Sequence, residues 1–550
     1  MRRGTVVVVV LLLAIVAGMA YRNELMLGAV GFVSRLRTPV GPHQAIEWAR
    51  GPGERAPGEA PPNVVLILAD DLGWNDLTFD GGGVAGGTVP TPHIDSIAAD
   101  GVQFTRGYAA NATCAPSRAA LMTGRYPTRF GFEFTPTPPQ MMPILARLSA
   151  SVDTPTPIVT HFDEHEDEGL EYEDMGVPPE EITLAETLRD VGYHTVHIGK
   201  WHLGRTGGMA AHDQGFAESL LMHSGLYLDE DDPNVVNSKQ DFDPIDRFLW
   251  AGMQWAASFN GSEAFEPGGY LTDYYTEEAV KVIEANRNRP FFLYLAHWAP
   301  HTPLQATRAD YDALSHIEDH RLRVYAAMIR ALDRGVGQVL EALEANGLTE
   351  NTLVMFTSDN GGAGYVGLPD LNQPYRGWKM SFFEGGIRVP FFMRWPAVIE
   401  PGSRFDKPVQ HFDLFATAAA AAGAPMPDDR VMDGVDLLPY ATGRIMAAPH
   451  DQLFWRSGHY QAAMTDRWKL QRADRPDKVW LHDLAADPTE QNDIAPGEPR
   501  LVSRMEDLLA RHNESQAESL WPSLIEGPNP IDKTRAEEQL PTDEYIYWPN

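Results

Sequence analysis

The sequence predicts an α/β fold: a large domain with a mostly parallel mixed sheet flanked by helices, followed by a smaller α+β domain with an antiparallel sheet. Continuous runs of Val, Ile, Leu and Phe are bounded by turn residues, as in strands that are buried on both faces. Helical patterns separate these runs, and this alternation is typical of parallel sheets. The predicted strands are NVVLILA from Asn63, YHTVHIG from Tyr193, PFFLYLA from Pro290, TLVMFTS from Thr352 and IRVPFFMRW from Ile387.

The length and composition indicate a folded protein with two domains. A chain of 550 residues exceeds what one hydrophobic core usually fills, and we expect a large domain over residues 62–445 and a smaller one over residues 446–550. From about residue 451 the apolar runs become short and alternate with polar residues, which predicts a small antiparallel sheet. The hydrophobic fraction of 43% excludes a disordered chain, and the net charge of −32 argues against binding to nucleic acid.

The N-terminal segment has the layout of an export signal. Two arginines precede an apolar stretch from Val6 to Ala20, with small residues at its end. We expect residues 1–22 to be a signal peptide or an N-terminal membrane anchor, and residues 23–61 to be a linker that ends in a Pro/Gly-rich stretch. The protein is therefore predicted to be exported to a periplasm, to a cell surface or into the medium.

Polar side chains follow four of the predicted strands, at the points where those strands end. Because ligands bind beyond the carboxyl ends of the strands in open α/β sheets, we expect these groups to meet at one edge of the sheet. They are Asp70 and Asp71, Lys200 and His202, His297 and His301, and Asp359 and Asn360.

The acidic pairs among these groups indicate a metal site. Asp70, Asp71, Asp359 and Asn360 offer only oxygen ligands, which suit Ca²⁺ or Mg²⁺ better than zinc. We also expect a cation because three carboxylates in one site would repel each other.

Cys114 is the only cysteine of the chain, so it cannot form a disulfide within it. The segment CAPSRAALMTGR predicts a helix that begins near Pro116 and stops at Gly124, with Cys114 at or just before its N-terminus. At this point the residue could be a small core side chain, a thiolate nucleophile or a side chain meant for conversion into another group.

The segment that begins at Cys114 resembles the signature of the sulfatases, in which the cysteine is oxidised to formylglycine. The resemblance extends over roughly residues 63–443, and WLHDLAADPTEQNDIA near Trp480 is similar to the end of the family's C-terminal domain. These segments are similar to those of the arylsulfatases. The matching segments are NVVLILADDLGWNDL, IGKWHLG, PHTPLQ, SDNGG and RGWKMSFFEGGIRVP.

The resemblance implies an alkaline-phosphatase-like fold and a sulfuric ester hydrolase. It implies that a maturation enzyme converts Cys114 to formylglycine, whose hydrate attacks the sulfate and then releases it by collapsing to the aldehyde. The implied cofactor is Ca²⁺, with Mg²⁺ as the alternative, and the implied substrate is a sulfated carbohydrate or an aryl sulfate. The implied metal ligands are Asp70, Asp71, Cys114, Asp359 and Asn360.

The same resemblance implies roles for five further side chains. Arg118 lies one helical turn after Cys114, where it would support the hydrated formylglycine. Lys200 and Lys379 would bind sulfate oxygens. His202 is the implied base, and His301 is the implied acid or hydrogen-bond donor at the departing alcohol.

Two other functional classes remain open from the sequence. One is a metal-dependent phosphodiesterase or phosphonate hydrolase of the same superfamily, and the other is a carbohydrate-binding relative without catalytic activity. The intact cysteine motif favours the sulfatase. Two further histidines, His197 and His297, are predicted to be structural, and Arg376 is open between a substrate contact and a role in the fold.

Overall fold

A computed structural model of the protein describes residues 21–54, 61–151, 159–162 and 170–550. It confirms the predicted fold class, because its centre is a nine-stranded mixed sheet with helices on both faces. The strands of this sheet are β1 (Asn63–Ala69), β2 (Val102–Phe104), β3 (His194–Gly199), β4 (Glu218–Gly225), β5 (Trp255–Phe259), β6 (Phe291–Ala296), β7 (Thr352–Ser358), β8 (Phe391–Arg394) and β9 (Ser403–Phe405).

The strands lie in the order β9-β2-β8-β7-β1-β6-β3-β4-β5. The central five, from β7 to β4, are parallel to each other, whereas β8 and β5 run antiparallel to their inner neighbours. The four strands predicted to end in polar groups are β1, β3, β6 and β7, and they are adjacent in this sheet. Their carboxyl ends therefore lie at one edge, as the sequence predicts.

Two helix layers cover the sheet. Val65 and Ile67 of β1 face the core on one side of the sheet, whereas Val64 and Leu66 face a second core on the other side. Alternate residues of one strand thus enter opposite cores, which explains the continuous apolar run. The longer helices are α1 (Arg22–Arg37), α2 (Pro92–Ala99), α3 (Cys114–Thr123), α4 (Met141–Ser149), α5 (Leu184–Asp190), α6 (Pro244–Gly252), α7 (Leu271–Asn286), α8 (His320–Ala345), α9 (Phe412–Ala422) and α10 (Pro499–Asn513).

The C-terminal part contains the predicted antiparallel sheet, with α10 packed on it. A three-stranded sheet joins the chain's last two strands to the short strand Thr160–His161. The strands of the C-terminal part are β10 (Gln452–Ser457), β11 (Tyr460–Thr465), β12 (Trp468–Asp474), β13 (Asp477–Asp483), β14 (Ile525–Pro530) and β15 (Tyr545–Pro549).

The segment predicted as a linker contains helix α1, which packs on α6. At this contact a side chain on Gly31 would meet the carbonyl oxygen of Ala251 at 2.5 Å, so only glycine fits. Residues 1–20, which carry most of the predicted signal peptide or anchor, lie outside the described residues, as do residues 55–60 of the predicted linker. None of the helices in the described ranges is long and apolar enough to cross a bilayer.

A buried ion cluster joins the C-terminal sheet to the segment that precedes β8. Lys469 Nζ of β12 lies 2.8 Å from Glu384 Oε1 and 3.1 Å from Glu490 Oε1, and none of the three side chains is exposed. Burial raises the pKa of Glu384, but Lys469 and Arg388 outweigh it and lower that pKa to about 2. Burial raises the pKa of Glu490 to about 7. The ammonium group of Lys469 is therefore a positive charge in contact with both carboxyl groups.

We predict that Lys469→Met lowers the free energy of unfolding by about 3–5 kcal/mol, because it removes the lysine partner of Glu490 and leaves the buried Glu384 with Arg388 alone. Arg467→Met is the matched control, since Arg467 lies just before the same strand and pairs with Asp483 at the surface. We expect that control to cost no more than about 1 kcal/mol. Urea unfolding of both variants tests this, and equal losses would contradict it.

Candidate active site

The ends of β1, β3 and β7 meet around Asp70. Lys200 Nζ lies 2.7 Å from Asp70 Oδ2, and Arg118 Nη2 lies 2.8 Å from the same oxygen. Burial and the neighbouring Asp359 raise the pKa of Asp70 to about 6, although Lys200 and Arg118 oppose the rise. The predicted grouping of these strand ends is therefore present in the structure.

Arg118 connects helix α3 to three of the strand ends. Its Nε donates to Asp359 Oδ2 at 2.9 Å and its Nη1 donates to the carbonyl oxygen of Lys200 at 3.0 Å, in addition to its contact with Asp70. The side chain is completely buried. Its hydrogen bonds are directed to the acidic groups and the backbone, so Arg118 holds the carboxylates in place.

A second group of contacts surrounds Asp71. Lys379 Nζ lies 2.6 Å from Asp71 Oδ1, and Asn360 Nδ2 donates to the same oxygen at 2.7 Å. Tyr365 donates its hydroxyl hydrogen to Asp71 Oδ2 at 2.7 Å. Burial raises the pKa of Asp71, but the charge of Lys379 and the hydrogen bonds from Lys379 and Asn360 outweigh it and hold that pKa well below its usual range. Asp71 is therefore an ionised carboxylate.

Cys114 lies at the first position of α3, two residues earlier than the predicted helix start. Its sulfur is 3.5 Å from Asp70 Oδ1, 3.9 Å from Asp71 Oδ1 and 3.1 Å from Lys379 Nζ. Burial, Asp359 and Asp70 raise the pKa of the thiol far above its usual value. With these neighbours alone the side chain is a neutral thiol, which disfavours a plain thiolate nucleophile.

The two predicted catalytic histidines both contact backbone carbonyl oxygens. His202 Nε2 lies 3.3 Å from the Pro136 oxygen, so this nitrogen carries the proton and Nδ1 is free to accept one. His202 Nδ1 is buried and has no hydrogen-bond partner in the described parts of the chain. Burial, followed by the charges of Lys200 and Arg118, holds the pKa of His202 well below its usual value. A neutral ring with an open Nδ1 is suited to act as a base.

His301 is arranged differently from His202. Its Nδ1 lies 2.6 Å from the Thr302 carbonyl oxygen and therefore carries the proton, whereas its Nε2 lies 3.3 Å from Lys379 Nζ. Burial lowers the pKa of His301 well below its usual value, although Asp71 opposes this shift. The neutral ring thus has an accepting nitrogen toward the site, and Lys379 is the proton donor beside it. The role of His301 as an acid stays a prediction.

Three residues at or beside the site have a strained backbone. Asp71, His202 and Met380 have φ values of 61°, 63° and 64°, in the left-handed region that residues other than glycine seldom adopt. Asp71 and His202 carry predicted functional side chains, and Met380 directly follows Lys379. The chain is therefore held in unfavourable conformations at the positions that direct these side chains into the site.

The donor set fits a hard divalent cation. Buried oxygens of Asp70, Asp71 and Asp359 surround the position, and single atoms of Asp70, Asp71, Cys114 and His301 lie within 4.8 Å of one another. Asn360 Oδ1 is buried and has no hydrogen-bond partner among the described residues, although its Nδ2 is engaged. An orphaned buried carbonyl oxygen beside carboxylates is a suitable ligand for Ca²⁺ or Mg²⁺.

Electrostatic repulsion among the carboxylates is already balanced without a cation. Lys200, Lys379 and Arg118 supply three positive charges in contact with the three acidic side chains. Repulsion among the carboxylates is therefore not in itself an argument for a metal ion. The sequence pattern could not show this, because it does not reveal how close the basic side chains lie. The orphaned Asn360 oxygen and the oxygen-rich donor set carry that argument instead.

Three residues that the sequence left aside lie outside the site. His197 is buried among aromatic rings and contacts Ser219 Oγ through its Nδ1 at 2.9 Å, as a core residue does. His297 is also fully buried, and burial lowers its pKa to about 4. Arg376 pairs with Asp532 at 2.5 Å and with a glutamate near the C-terminus, so it has a role in the fold.

Sequence reasoning missed two aromatic residues of the site. Trp298 stacks on His301 with ring centroids 3.8 Å apart, and Lys200 Nζ lies 4.5 Å from the Trp298 ring. Tyr365 lies between Asp71 and Lys379. Trp298 lies within the His297–His301 segment, which was the signal that could have identified it. Tyr365 follows Asp359 by six residues in an irregular loop and had no such signal.

The site lies at the bottom of a cleft with a volume of about 800 Å³. Cys114, Lys200, His202, His301 and Lys379 all line this cleft, as do Trp298 and Tyr365. The structure thus brings together a cysteine at a helix N-terminus, an acidic oxygen-rich position and several proton donors and acceptors at one accessible surface.

Comparison with known proteins shows similarity to sulfatases over most of the chain. The family model Sulfatase matches residues 62–424, and the model N-sulphoglucosamine sulphohydrolase, C-terminal, matches residues 377–516. The chain is 34% identical to N-acetylgalactosamine-6-sulfatase of Mus musculus over 414 residues, which cover 74% of this chain and 70% of that protein. It is 29% identical to the steryl-sulfatase of Homo sapiens, over 83% of this chain and 89% of that protein.

A solved structure supports the assignment at the level of the fold. The crystal structure of Ps i-CgsB in complex with k-i-k-neocarrahexaose has 31% sequence identity and a TM-score of 0.68, and the match covers 84% of this chain and 94% of that one. These matches extend from the strand that precedes Asp70 through the C-terminal sheet, and the chain belongs to the sulfatase family of enzymes.

Proposed function

We propose that this sulfatase hydrolyses sulfate monoesters with a formylglycine made from Cys114 and with a bound divalent cation, Ca²⁺ or Mg²⁺. The observation that carries the proposal is the position of Cys114. Its sulfur, at the N-terminus of α3, lies within 3.5 Å of an Asp70 oxygen and within 3.1 Å of the Lys379 ammonium. A nucleophile at this point would be beside the cation ligands and beside a positive group for the sulfate.

The formylglycine hydrate would supply the attacking hydroxyl and would release sulfate by returning to the aldehyde. Four residues of the chain assist these steps. His202 has an open Nδ1 and would accept a proton. Lys200 and Lys379 would contact sulfate oxygens as fixed positive charges. Arg118 would maintain the positions of the carboxylates around them.

The cation would polarise the sulfate oxygens and stabilise the charge that develops as the S–O bond breaks. Its ligands would be Asp70, Asp71, Asp359 and Asn360, together with the oxygen that replaces the sulfur of Cys114. With carboxylate oxygens bound to the cation, Lys200 and Lys379 would be available to the sulfate.

The names of the similar proteins indicate two classes of alcohol for the substrate. One similar protein is named for N-acetylgalactosamine sulfate, another is named for steryl sulfate, and the solved structure contains an oligosaccharide. We infer a sulfated carbohydrate, or a sulfate of an aryl or fused-ring alcohol, for this chain. Phosphodiesters are less suited, because family membership and the cysteine at α3 both favour sulfate esters.

We also propose that the protein is exported. The support is the apolar stretch from Val6 to Ala20 after two arginines, which is typical of a signal peptide. The protein would then act in a periplasm, at a cell surface or outside the cell, with or without an N-terminal anchor.

We predict that Cys114 carries an aldehyde when the chain is produced together with a formylglycine-generating enzyme. Mass spectrometry of the peptide from Gly107 to Arg118 measures the conversion. Cys114→Ala should fold normally, because one small side chain changes, but should lose at least about 10³-fold in kcat. An active preparation with only the unmodified thiol would contradict the proposal.

We predict that chelation abolishes turnover and that Ca²⁺ or Mg²⁺ restores it. Asn360→Leu should weaken binding of the cation at least tenfold, roughly the effect of losing one supporting ligand, and should lower activity in parallel. Asp370→Ala in the neighbouring exposed loop is the control and should retain the cation. Elemental analysis with a metal titration tests this, and full activity of a metal-free sample would refute it.

We predict that Tyr365→Phe lowers kcat/KM by about 10- to 100-fold, because it removes a hydrogen bond to an ionised buried carboxylate. Tyr375→Phe is the control, since the Tyr375 ring packs on Trp74 and Arg388. That control should stay within about twofold of the unaltered enzyme. Steady-state kinetics with 4-nitrophenyl sulfate provide the comparison, and equal effects of the two substitutions would rule out the role of Tyr365.

A further inference from the structure

The walls of the cleft differ from its floor. The floor carries the charged and titratable groups around Cys114, whereas the walls above it are formed by apolar side chains of α1, α4, α6 and β4. These elements come from distant parts of the sequence. Representative side chains of the walls are Val30, Met142, Leu145, Met222, Phe248 and Met253.

The wall formed by α4 belongs to none of the three large cores. Met142 and Leu145 join Ile525 in a small separate apolar cluster, with Phe248 of α6 packed against it. Met142 and Leu145 are almost fully buried, whereas Phe248 is partly exposed toward the cleft. Methionine side chains adapt to the shape of an apolar partner. This surface is therefore apolar, and its methionine side chain can adapt to the shape of a ligand.

Helix α1, which packs on α6, forms a further part of the walls. Val30 and Met26 line the cleft, and Gly31 makes the close contact that fixes the helix on α6. Leu25, on another side of the same helix, is 63% exposed and does not line the cleft. The helix therefore presents a defined apolar side to the cleft.

Several polar groups of the walls already have partners within the protein. Gln254 Nε2 donates to the Thr38 carbonyl oxygen at 3.0 Å, and Arg535 Nη1 is paired with Asp243 Oδ1 at 2.7 Å. Arg205 donates to a backbone carbonyl oxygen of β4 at 3.0 Å. A sugar needs partners for its hydroxyl groups when it is buried. These three side chains each spend a donor on the protein itself, whereas Thr135 Oγ1, which also lines the cleft, has no partner among the described residues. Apolar side chains nevertheless form most of the walls.

We propose that the cleft binds a sulfate monoester whose alcohol part is a large apolar group, such as a fused-ring alcohol, in preference to a sugar. This inference rests on the proposed function, because it assumes that the sulfate lies at Cys114. The apolar body would then extend from the floor along the apolar side chains of α1, α4 and α6. The volume of about 800 Å³ lies within the usual range of about 300–1,000 Å³ for sites that enclose such ligands.

The first experiment compares two esters of secondary alcohols, so that the leaving groups are of the same type. The probes are dehydroepiandrosterone 3-sulfate and N-acetylgalactosamine 4-sulfate, with 4-nitrophenyl sulfate as a small reference. We expect kcat/KM for the steroid sulfate to exceed that for the sugar sulfate at least about tenfold, since apolar burial favours only the former. Equal or higher kcat/KM for the sugar sulfate would overturn the inference.

The second experiment changes the wall without touching the floor. Val30→Asn should raise KM for the steroid sulfate about fivefold and should leave 4-nitrophenyl sulfate within about twofold, because the small ester does not reach α1. Leu25→Asn is the matched control on the exposed side of the same helix and should change neither. Phe248→Ser tests the α6 wall in the same way. Thermal melting verifies that each variant is folded, and unchanged KM for both wall variants would overturn the inference.

A binding measurement separates failure of the inference from failure of the proposed function. Titration of the Cys114→Ala variant with dehydroepiandrosterone 3-sulfate measures recognition without turnover. Binding of the steroid sulfate, together with no hydrolysis of any ester by matured protein, would support the inference and contradict the proposed function. Hydrolysis of 4-nitrophenyl sulfate without a preference for the steroid sulfate would support the proposed function and overturn the inference.

Discussion

The buried guanidinium of Arg118 is the interaction on which the rest of the active site depends. It extends from α3 and contacts the carboxylates that follow β1 and β7, together with a backbone oxygen after β3. One side chain thus fixes three strand ends relative to the helix that begins at Cys114. Without it, Asp70 and Asp359 would be buried with less compensation, which costs several kcal/mol. The position of the nucleophile is therefore coupled to the geometry of the whole sheet edge.

The sequence predicted the strands whose side chains are buried on both faces of the sheet. The run at Asn63–Ala69 is apolar throughout because alternate residues enter two different cores, and the polar pair that follows lies where the strand leaves both of them. The same pattern identified the ends of β3, β6 and β7 and hence most of the site. The start of α3 was predicted two residues too late, because Pro116 is accepted anywhere in a first helical turn.

The side-chain contacts that the sequence could not predict are made by segments whose paths follow no repeating pattern. Tyr365 lies in a loop with no periodic pattern, yet its hydroxyl group bridges Asp71 and Lys379. Likewise, the contact of Lys200 with Asp70 determines the charge balance of the site, and no spacing rule gives that distance. Repeating patterns specify strands and helices, whereas side-chain partners across loops are set only by the folded chain.

The contrast between a charged floor and apolar walls has a consequence for the chemistry as well as for recognition. Charges act more strongly where water is excluded, and an apolar substrate body against the side chains of α1, α4 and α6 would exclude water above the sulfate. The ammonium groups of Lys200 and Lys379 would then act on the sulfate in a medium of low polarity. Binding of the alcohol part and stabilisation of the reacting sulfate would thus be linked, because the same apolar contacts that hold the substrate also enclose the charged groups.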